Sequence, residues 1–134
     1  MIYLPDTNAV IRFLNPGQNP VKDHFLSVDF LDIRLCSVVK AELYYGAMKS
    51  SRSTDNLLLL DELFSNLDSL PFDDDAARKY GEIRSALSRL GKPIGPNDLM
   101  IAATALVHGA VLITHNTREF SRVEGLQIED WEES

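Results

Sequence analysis

Apolar positions along the chain form short continuous runs that alternate with longer segments of helical spacing. Residues 2–4 make a first apolar run that ends at Pro5, and apolar residues at helical spacing follow over 8–14. A second short run covers 33–36, and a helix with Ser37 as its N-cap is predicted from there to about Lys49. The pattern therefore predicts strand, helix, strand, helix in this part of the chain.

Helical spacing dominates the rest of the sequence. Further helices are predicted over about 54–67, 73–90 and 97–108. The first of these is apolar around much of its circumference, so we expect it to be buried on two sides. The segment 111–114, whose core is fully apolar, predicts a strand buried on both faces, and 126–128 predicts a weaker strand.

Short strands that alternate with helices predict an α/β fold with a short central parallel sheet flanked by helices on both faces. The length of 134 residues suits one domain, which we expect to span 1–134. In open parallel sheets, ligands bind beyond the carboxyl ends of the strands. Asp6 and the segment 114–119 both follow the end of a predicted strand. We therefore expect the functional site at that edge.

Composition narrows the setting in which the protein works. No apolar run approaches the ~20 residues that span a bilayer, and the first residues lack the basic and apolar regions of a signal peptide. Cys36 is the only cysteine, which excludes an internal disulfide and suits a reducing compartment. We expect a cytoplasmic protein with no membrane association.

The net charge of −7 bears on the class of ligand. Taken alone it argues against nucleic acid, because phosphate contacts with basic residues supply most of the affinity for such a ligand. An alternative is that some acidic residues gather around a divalent cation, which inverts the local potential. Composition leaves both interpretations open.

Three acidic residues are placed where they can converge. Asp6 directly follows a strand, where it either caps the next helix or faces the ligand crevice. Glu42 lies on a largely apolar helix face, so either a basic residue pairs with it or it lines a cavity that holds a cation. Asp98 opens a helix whose dipole is expected to lower its pKa and keep it ionised. Each acid has a purely structural explanation, but their convergence is harder to explain that way.

Such a set of carboxylates has a definite chemistry. Mg²⁺ and Mn²⁺ prefer carboxylate and water oxygens, and either cation can activate a water and neutralise charge on a phosphate oxygen. His24, His108 and His115 lack the spacing of a zinc site. His115 lies next to the predicted site and is either a substrate contact or an ordinary loop histidine.

Five blocks in the same order resemble PIN-domain proteins and, together, the VapC toxins of bacterial toxin–antitoxin pairs. The blocks are Tyr3–Asn8, Ser37–Ala47, Pro93–Ala103, Leu112–Phe120 and Leu126–Trp131. The resemblance covers essentially the whole chain. It implies a PIN fold, Mg²⁺- or Mn²⁺-dependent endonucleolytic cleavage of RNA, a cognate antitoxin that blocks the site, and a homodimer. The implied role is that of the toxin in a type II toxin–antitoxin pair.

The resemblance also implies roles for individual residues. Asp6, Glu42 and Asp98 match the family's acidic metal site. The polar residues that match positions around it are Thr7, Asn8 and Thr114. Among basic residues, Arg12 and Lys40 are predicted to lie nearest the cleft and are the best candidates for contacts with the RNA backbone.

The fourth acidic position departs from many PIN domains. Those proteins carry an acid where this chain has Asn116, whose amide adds no negative charge. Glu119 is then the expected fourth carboxylate. The alternative is that Glu119 forms a salt bridge with Arg118 or Arg122.

Two other functions compete with this interpretation. A phosphatase of the haloacid-dehalogenase type also begins with an Asp after its first strand, but it needs a second Asp where this chain has Asn8. A PIN-like RNA- or protein-binding subunit that has lost its metal is the non-enzymatic alternative. The presence of all three acids argues against it.

Overall fold

The computed structural model describes residues 1–133 and contains five short parallel strands. They are β1 (Ile2–Pro5), β2 (Leu35–Cys36), β3 (Ser69–Leu70), β4 (Ala110–Ile113) and β5 (Ile128–Glu129). Strands β1, β4 and β5 form one hydrogen-bonded sheet, and β2 pairs with β3. A parallel bridge between Tyr3 and Ile33 joins the two parts. The spatial order is therefore β3-β2-β1-β4-β5.

Helices follow most of the strands and cover the sheet. They are α1 (Thr7–Leu14), α2 (Pro20–Ser27), α3 (Ser37–Met48), α4 (Ser53–Ser65), α5 (Asp74–Arg89), α6 (Pro96–Val107) and α7 (Thr117–Phe120), with a short 3₁₀ turn at Phe30–Asp32. All four residues of β4 are buried although their side chains alternate between the two faces of the sheet. Both faces are thus covered, as the sequence predicts.

The start of α2 was not predicted, although its signal is present in the sequence. The side chain of Asn19 accepts a hydrogen bond from the Lys22 backbone N–H at 2.8 Å, and Pro20 occupies the first turn. Asparagine at the N-cap followed by proline is a typical helix start. In the turn before α2, Gly17 has a φ of 88°, so this position needs a residue that tolerates the left-handed region.

Two other sequence predictions were wrong in detail. The N-cap of α3 is Cys36 rather than Ser37, because the chain passes from β2 into the helix with no intervening residue. The helix predicted at 54–67, which is α4 in the structure, was expected to be buried on two sides, and this expectation is also wrong. In α4, Leu58 is 65% exposed and Leu59 is 44% exposed, whereas Leu60 is buried. One apolar face of α4 therefore has no partner within residues 1–133.

The segment after β5 packs into the core. Trp131 is only 3% exposed, and its ring lies within 5.4 Å, centroid to centroid, of the rings of Tyr3, His24 and Phe25. Close aromatic packing of this kind stabilises a fold beyond the area that it buries. No helix within residues 1–133 has the length and apolar character needed to cross a membrane.

Candidate active site

A cleft of about 250 Å³ opens at the carboxyl end of the sheet. It is lined by Asp6, Thr7, Asn8, Glu42, Asp98, Asn116 and Phe120. The backbone N–H of Asp6 donates to the carbonyl of Ile113 at 2.9 Å, which aligns the ends of β1 and β4. The structure thus brings together Asp6, Glu42 and Asp98, which lie far apart in sequence.

Asp6 performs both of the roles that the sequence left open. One carboxylate oxygen accepts a hydrogen bond from the Ala9 backbone N–H at 2.9 Å and caps α1. The side chain also lines the cleft and is 7% exposed. Burial raises the pKa of Asp6, and the charges of Glu42 and Asp130 add to the rise, whereas the Thr114 hydroxyl and the Ala9 N–H oppose it.

Asp98 corrects one expectation from the sequence. It lies in the first turn of α6, where the helix dipole was expected to lower its pKa. Burial instead raises the pKa of Asp98 to about 6, with further contributions from the negative charges of Glu42, Asp6 and Glu119. Desolvation and like charge outweigh the dipole here, because a buried carboxylate surrounded by other acids is destabilised in its ionised form.

Glu42 reaches the cleft from α3. The Thr7 hydroxyl donates to its Oε1 at 2.6 Å, and the Asn97 amide donates to its Oε2 at 3.4 Å. The two lysines on or next to the same helix, which could have paired with Glu42, contact aromatic rings instead. Lys40 lies over the Phe64 ring at 5.0 Å, and Lys49 lies over the Tyr45 ring at 4.9 Å. Glu42 therefore faces the cavity and is held there by two uncharged donors.

The loop after β4 supplies the remaining polar groups. The Thr114 hydroxyl accepts a hydrogen bond from the Asn116 backbone N–H at 2.9 Å. The Asn116 amide lines the cleft and donates to Glu119 Oε2 at 3.0 Å. Glu119 stands outside the lining residues, but its charge contributes to the raised pKa of Asp98. Arg122, one of its considered partners, donates instead to the Pro93 carbonyl at 3.1 Å.

The two basic residues predicted to contact RNA lie outside the cleft lining. Arg12 forms a two-pronged ion pair with Glu132, with Nε–Oε2 and Nη2–Oε1 distances of 2.9 Å. Lys40 lies against Phe64, as described above. Their proposed contact with RNA remains a prediction.

Three residues at or near the site were missed in the sequence. Asn97 contacts Glu42, Phe120 closes one wall of the cleft, and the charge of Asp130 acts on Asp6. Asn97 and Phe120 fall within blocks that pointed to the site, so the signal was available. Asp130 lies in the acidic tail, and no local pattern distinguishes it from its acidic neighbours.

The donors in the cleft fit a hard divalent cation. Carboxylate and amide oxygens are the ligands that such ions prefer, and burial together with the charges of neighbouring acids raises the pKa of Asp98. No three acidic, histidine or cysteine side chains within residues 1–133 stand ready to hold one ion together.

Comparison with known proteins identifies the family. The PIN domain family model matches residues 3–126. The tRNA(fMet)-specific endonuclease VapC of Shigella flexneri is 40% identical over 129 residues, which cover 96% of this chain and 97% of that protein. Ribonuclease VapC2 of Rickettsia felis is 35% identical over 136 residues, which cover 98% of this chain and 99% of that protein.

A solved structure agrees with this match. The DNA-bound VapBC complex of Salmonella typhimurium contains a chain that superposes with a TM-score of 0.90 at 37% identity, covering 98% of both chains. The sequence blocks, the parallel sheet and the acidic cleft have the same explanation: this chain belongs to the PIN-domain family, in its VapC branch.

Proposed function

We propose that this protein is the toxin of a type II toxin–antitoxin pair and cleaves RNA phosphodiesters as a metal-dependent endoribonuclease. Relatives that match nearly the full chain are named as VapC ribonucleases, and a similar solved structure is a VapBC complex. PIN-domain ribonucleases generally depend on a divalent cation. We propose Mg²⁺ or Mn²⁺ as that cation and the cytoplasm as the place of action, with residues 1–134 forming a single PIN domain.

The convergence of Asp6, Glu42 and Asp98 carries this proposal. They come from the end of β1, from α3 and from the first turn of α6, yet all three line one cleft. Burial raises the pKa of Asp98, and repulsion from Glu42 and Asp6 raises it further. Carboxylates in such a cleft are costly to ionise on their own, and a bound cation would compensate their negative charge.

The carboxylates are proposed to divide the work of binding. Asp6 and Asp98 would hold the cation, while Glu42, held by the Thr7 hydroxyl, would complete the site and orient the attacking water. When bound, the cation supplies a Lewis acid that neutralises charge on the phosphate and lowers the pKa of a water. Glu119 is proposed as a fourth carboxylate of the site, held through its hydrogen bond with Asn116.

Polar neighbours fix the orientation of these groups. The Thr114 hydroxyl lies beside Asp6 and accepts from the Asn116 N–H, so it links the first acid to the loop after β4. Asn8, the second residue of α1, borders the cleft. Groups of this kind matter because a misoriented carboxylate binds a cation less tightly.

An assay with purified protein tests the proposed activity. Incubation with total RNA, and with initiator tRNA because the Shigella flexneri relative is named for it, is expected to give discrete cuts in Mg²⁺. Chelation by EDTA should abolish them, and added Mg²⁺ or Mn²⁺ should restore them. Undiminished cleavage in EDTA would contradict the metal, and no cleavage with either ion would contradict the ribonuclease.

A groove beside the cleft suits the antitoxin. It runs between α1, α3 and α4, is lined mainly by apolar side chains that include Ile11 and Leu59, and reaches Glu42 at the active site. Ile11 is 43% exposed and Leu59 is 44% exposed, and exposed apolar surface of this extent marks an interaction site. We propose that an apolar antitoxin segment lies in the groove and places a basic side chain at the acidic cleft.

Changing Leu59 to Asp is expected to weaken antitoxin binding by about tenfold or more, because a carboxylate loses its hydration in the apolar groove. Leu58→Asp is the matched control, since Leu58 is exposed on the same helix but stands outside the groove lining. Calorimetric titration of the purified pair measures both. Equal affinities for the two variants would place the antitoxin elsewhere.

A homodimer is also proposed and is tested by light scattering of the purified chain.

A further inference from the structure

His115 and Asp130 form a pair at the rim of the active site. His115 Nδ1 lies 2.9 Å from Asp130 Oδ2. The Asp130 side chain is 11% exposed, whereas that of His115 is 71% exposed. Asp130 is fixed in turn, because its Oδ1 accepts the backbone N–H of Glu132 at 3.0 Å. One ring nitrogen of His115 is therefore anchored on a buried acid while most of the ring faces solvent.

The chain places this ring directly beside the acidic cleft. His115 stands between Thr114 and Asn116, which both belong to the proposed site. It also lines a small hollow together with Asn8, Asp130 and other residues. Asn8 lines the acidic cleft as well, so it forms the wall that the hollow and the cleft share. The imidazole therefore lies next to the wall of the acidic cleft.

Electrostatics around His115 favour a positive ring. The hydrogen bond with Asp130 raises the pKa of His115, the charge of Asp130 raises it further, and Glu132 and Glu133 contribute in the same direction. Glu132 also forms an ion pair with Arg12. A histidine held this way by a carboxylate keeps its proton to higher pH than a free one.

A cation is needed at this position. The cleft is lined by three carboxylates, and RNA brings a phosphate at every nucleotide. Arg12 and Lys40, the basic residues expected near the cleft, are engaged with Glu132 and with the Phe64 ring. His115 is accessible and is already oriented by its bond with Asp130.

We propose that His115, anchored by Asp130, binds a phosphate of the RNA backbone next to the phosphate that is cut. The inference rests on the proposed ribonuclease function and gives the substrate a second point of attachment. His115 acts here in substrate binding, and the bond-breaking step remains with the acidic cleft. Of its two sequence interpretations, substrate contact is the one that this geometry supports.

Steady-state cleavage of RNA by three variants in Mg²⁺ tests the inference. His115→Gln removes the charge and is expected to raise KM by about three- to tenfold with kcat changed less than about twofold, as for loss of one charged phosphate contact. His115→Arg supplies a permanent charge and should restore a low KM. His108→Gln is the control, because His108 bonds the Pro71 carbonyl at the far end of α6 and should leave KM unchanged.

The pH profile separates a charged contact from a structural role. For the wild type, KM should rise as pH increases beyond the ordinary imidazole pKa of about 6.5, because the ring then loses its proton, and the bond with Asp130 shifts this rise to higher pH. His115→Arg should show a flat profile, and His115→Gln should show a flat profile at high KM. If His115 had a purely structural role, His115→Arg would not restore the low KM.

The possible outcomes are distinct. If His115→Gln cleaves RNA with the same KM and the same pH dependence as the wild type, this inference is overturned and the proposed ribonuclease function is not affected. Failure of His115→Arg to restore KM also overturns it. Absence of both RNA binding and cleavage in the wild type overturns the proposed function and this inference with it.

Discussion

Replacing Asp98 with Asn is expected to abolish RNA cleavage while making the metal-free protein more stable. The loss of a directly bound carboxylate removes charge stabilisation worth several kcal/mol, which corresponds to a rate lower by on the order of 10³-fold. The gain in stability has a separate cause. The folded protein holds the Asp98 carboxylate in a half-buried cleft beside other acids, and this disfavours the ionised form.

The pH dependence of that gain follows from linkage. The pKa of Asp98 is about 6 in the folded protein against an ordinary value of 3.8, so between these values the folded state binds the proton more tightly. The contribution of Asp98 to the stability of the metal-free wild type therefore falls as pH rises from about 4 to 6, and Asp98→Asn lacks this contribution. A fully buried shift of this size corresponds to about 3 kcal/mol, which solvent screening at this half-buried position reduces to about 1 kcal/mol.

Urea unfolding in EDTA, measured at pH 4 and at pH 7, checks the stability of Asp98→Asn. The variant is expected to be more stable than the wild type at pH 7 and close to it at pH 4. Ser88→Ala, an exposed change on α5 away from the cleft, serves as the control and should follow the wild type at both pH values. A variant that is less stable than the wild type at pH 7 would show that Asp98 supports the fold.

Substitutions at Asp6 should separate its two roles. Asp6→Asn and Asp6→Ala are both expected to lower the cleavage rate by on the order of 10³-fold, because both remove the negative ligand. Only Asp6→Ala removes the cap of α1, since Asn keeps an oxygen that accepts the Ala9 N–H. We therefore expect Asp6→Ala to be less stable than Asp6→Asn by about 1 kcal/mol.

Cleavage assays in Mg²⁺ and thermal unfolding of the two Asp6 variants provide the measurements. The helical part of the circular dichroism spectrum shows whether each variant is folded. Activity close to that of the wild type in Asp6→Asn would remove Asp6 from the proposed metal site. Equal stability of the two variants would mean that the capping bond contributes little to α1.

The sequence placed the cleft well because its acids sit at the ends of elements. Asp6 follows a strand and Asp98 opens a helix, so the edge of a parallel sheet was enough to predict their convergence. Glu42 was conspicuous as a charge on an apolar helix face. These signals are local, and the order of the strands then brings the residues together.

Interactions that depend on distant partners could not be predicted in this way. The ion pair between Arg12 and Glu132 joins residues 120 positions apart, and the bond between His115 and Asp130 depends on the register of β5 beside β4. The raised pKa of Asp98 arises from its burial in the folded protein and from acids on other elements, so the local helix dipole suggested the wrong direction. Helix α2 was missed for a different reason, because the N-cap Asn19 and the following Pro20 are a local signal for a helix start.

The pairing of β1 with β4 sets the order of events during translation. Ile2 lies opposite Ala110 and Pro5 lies opposite Ile113, so an early strand pairs with one synthesised more than a hundred residues later. Until β4 leaves the ribosome, β1 has no neighbour on that side, and Asp6 has no Ile113 carbonyl to hold its backbone. A nascent chain therefore carries no assembled cleft until β4 has been made and synthesis is nearly complete.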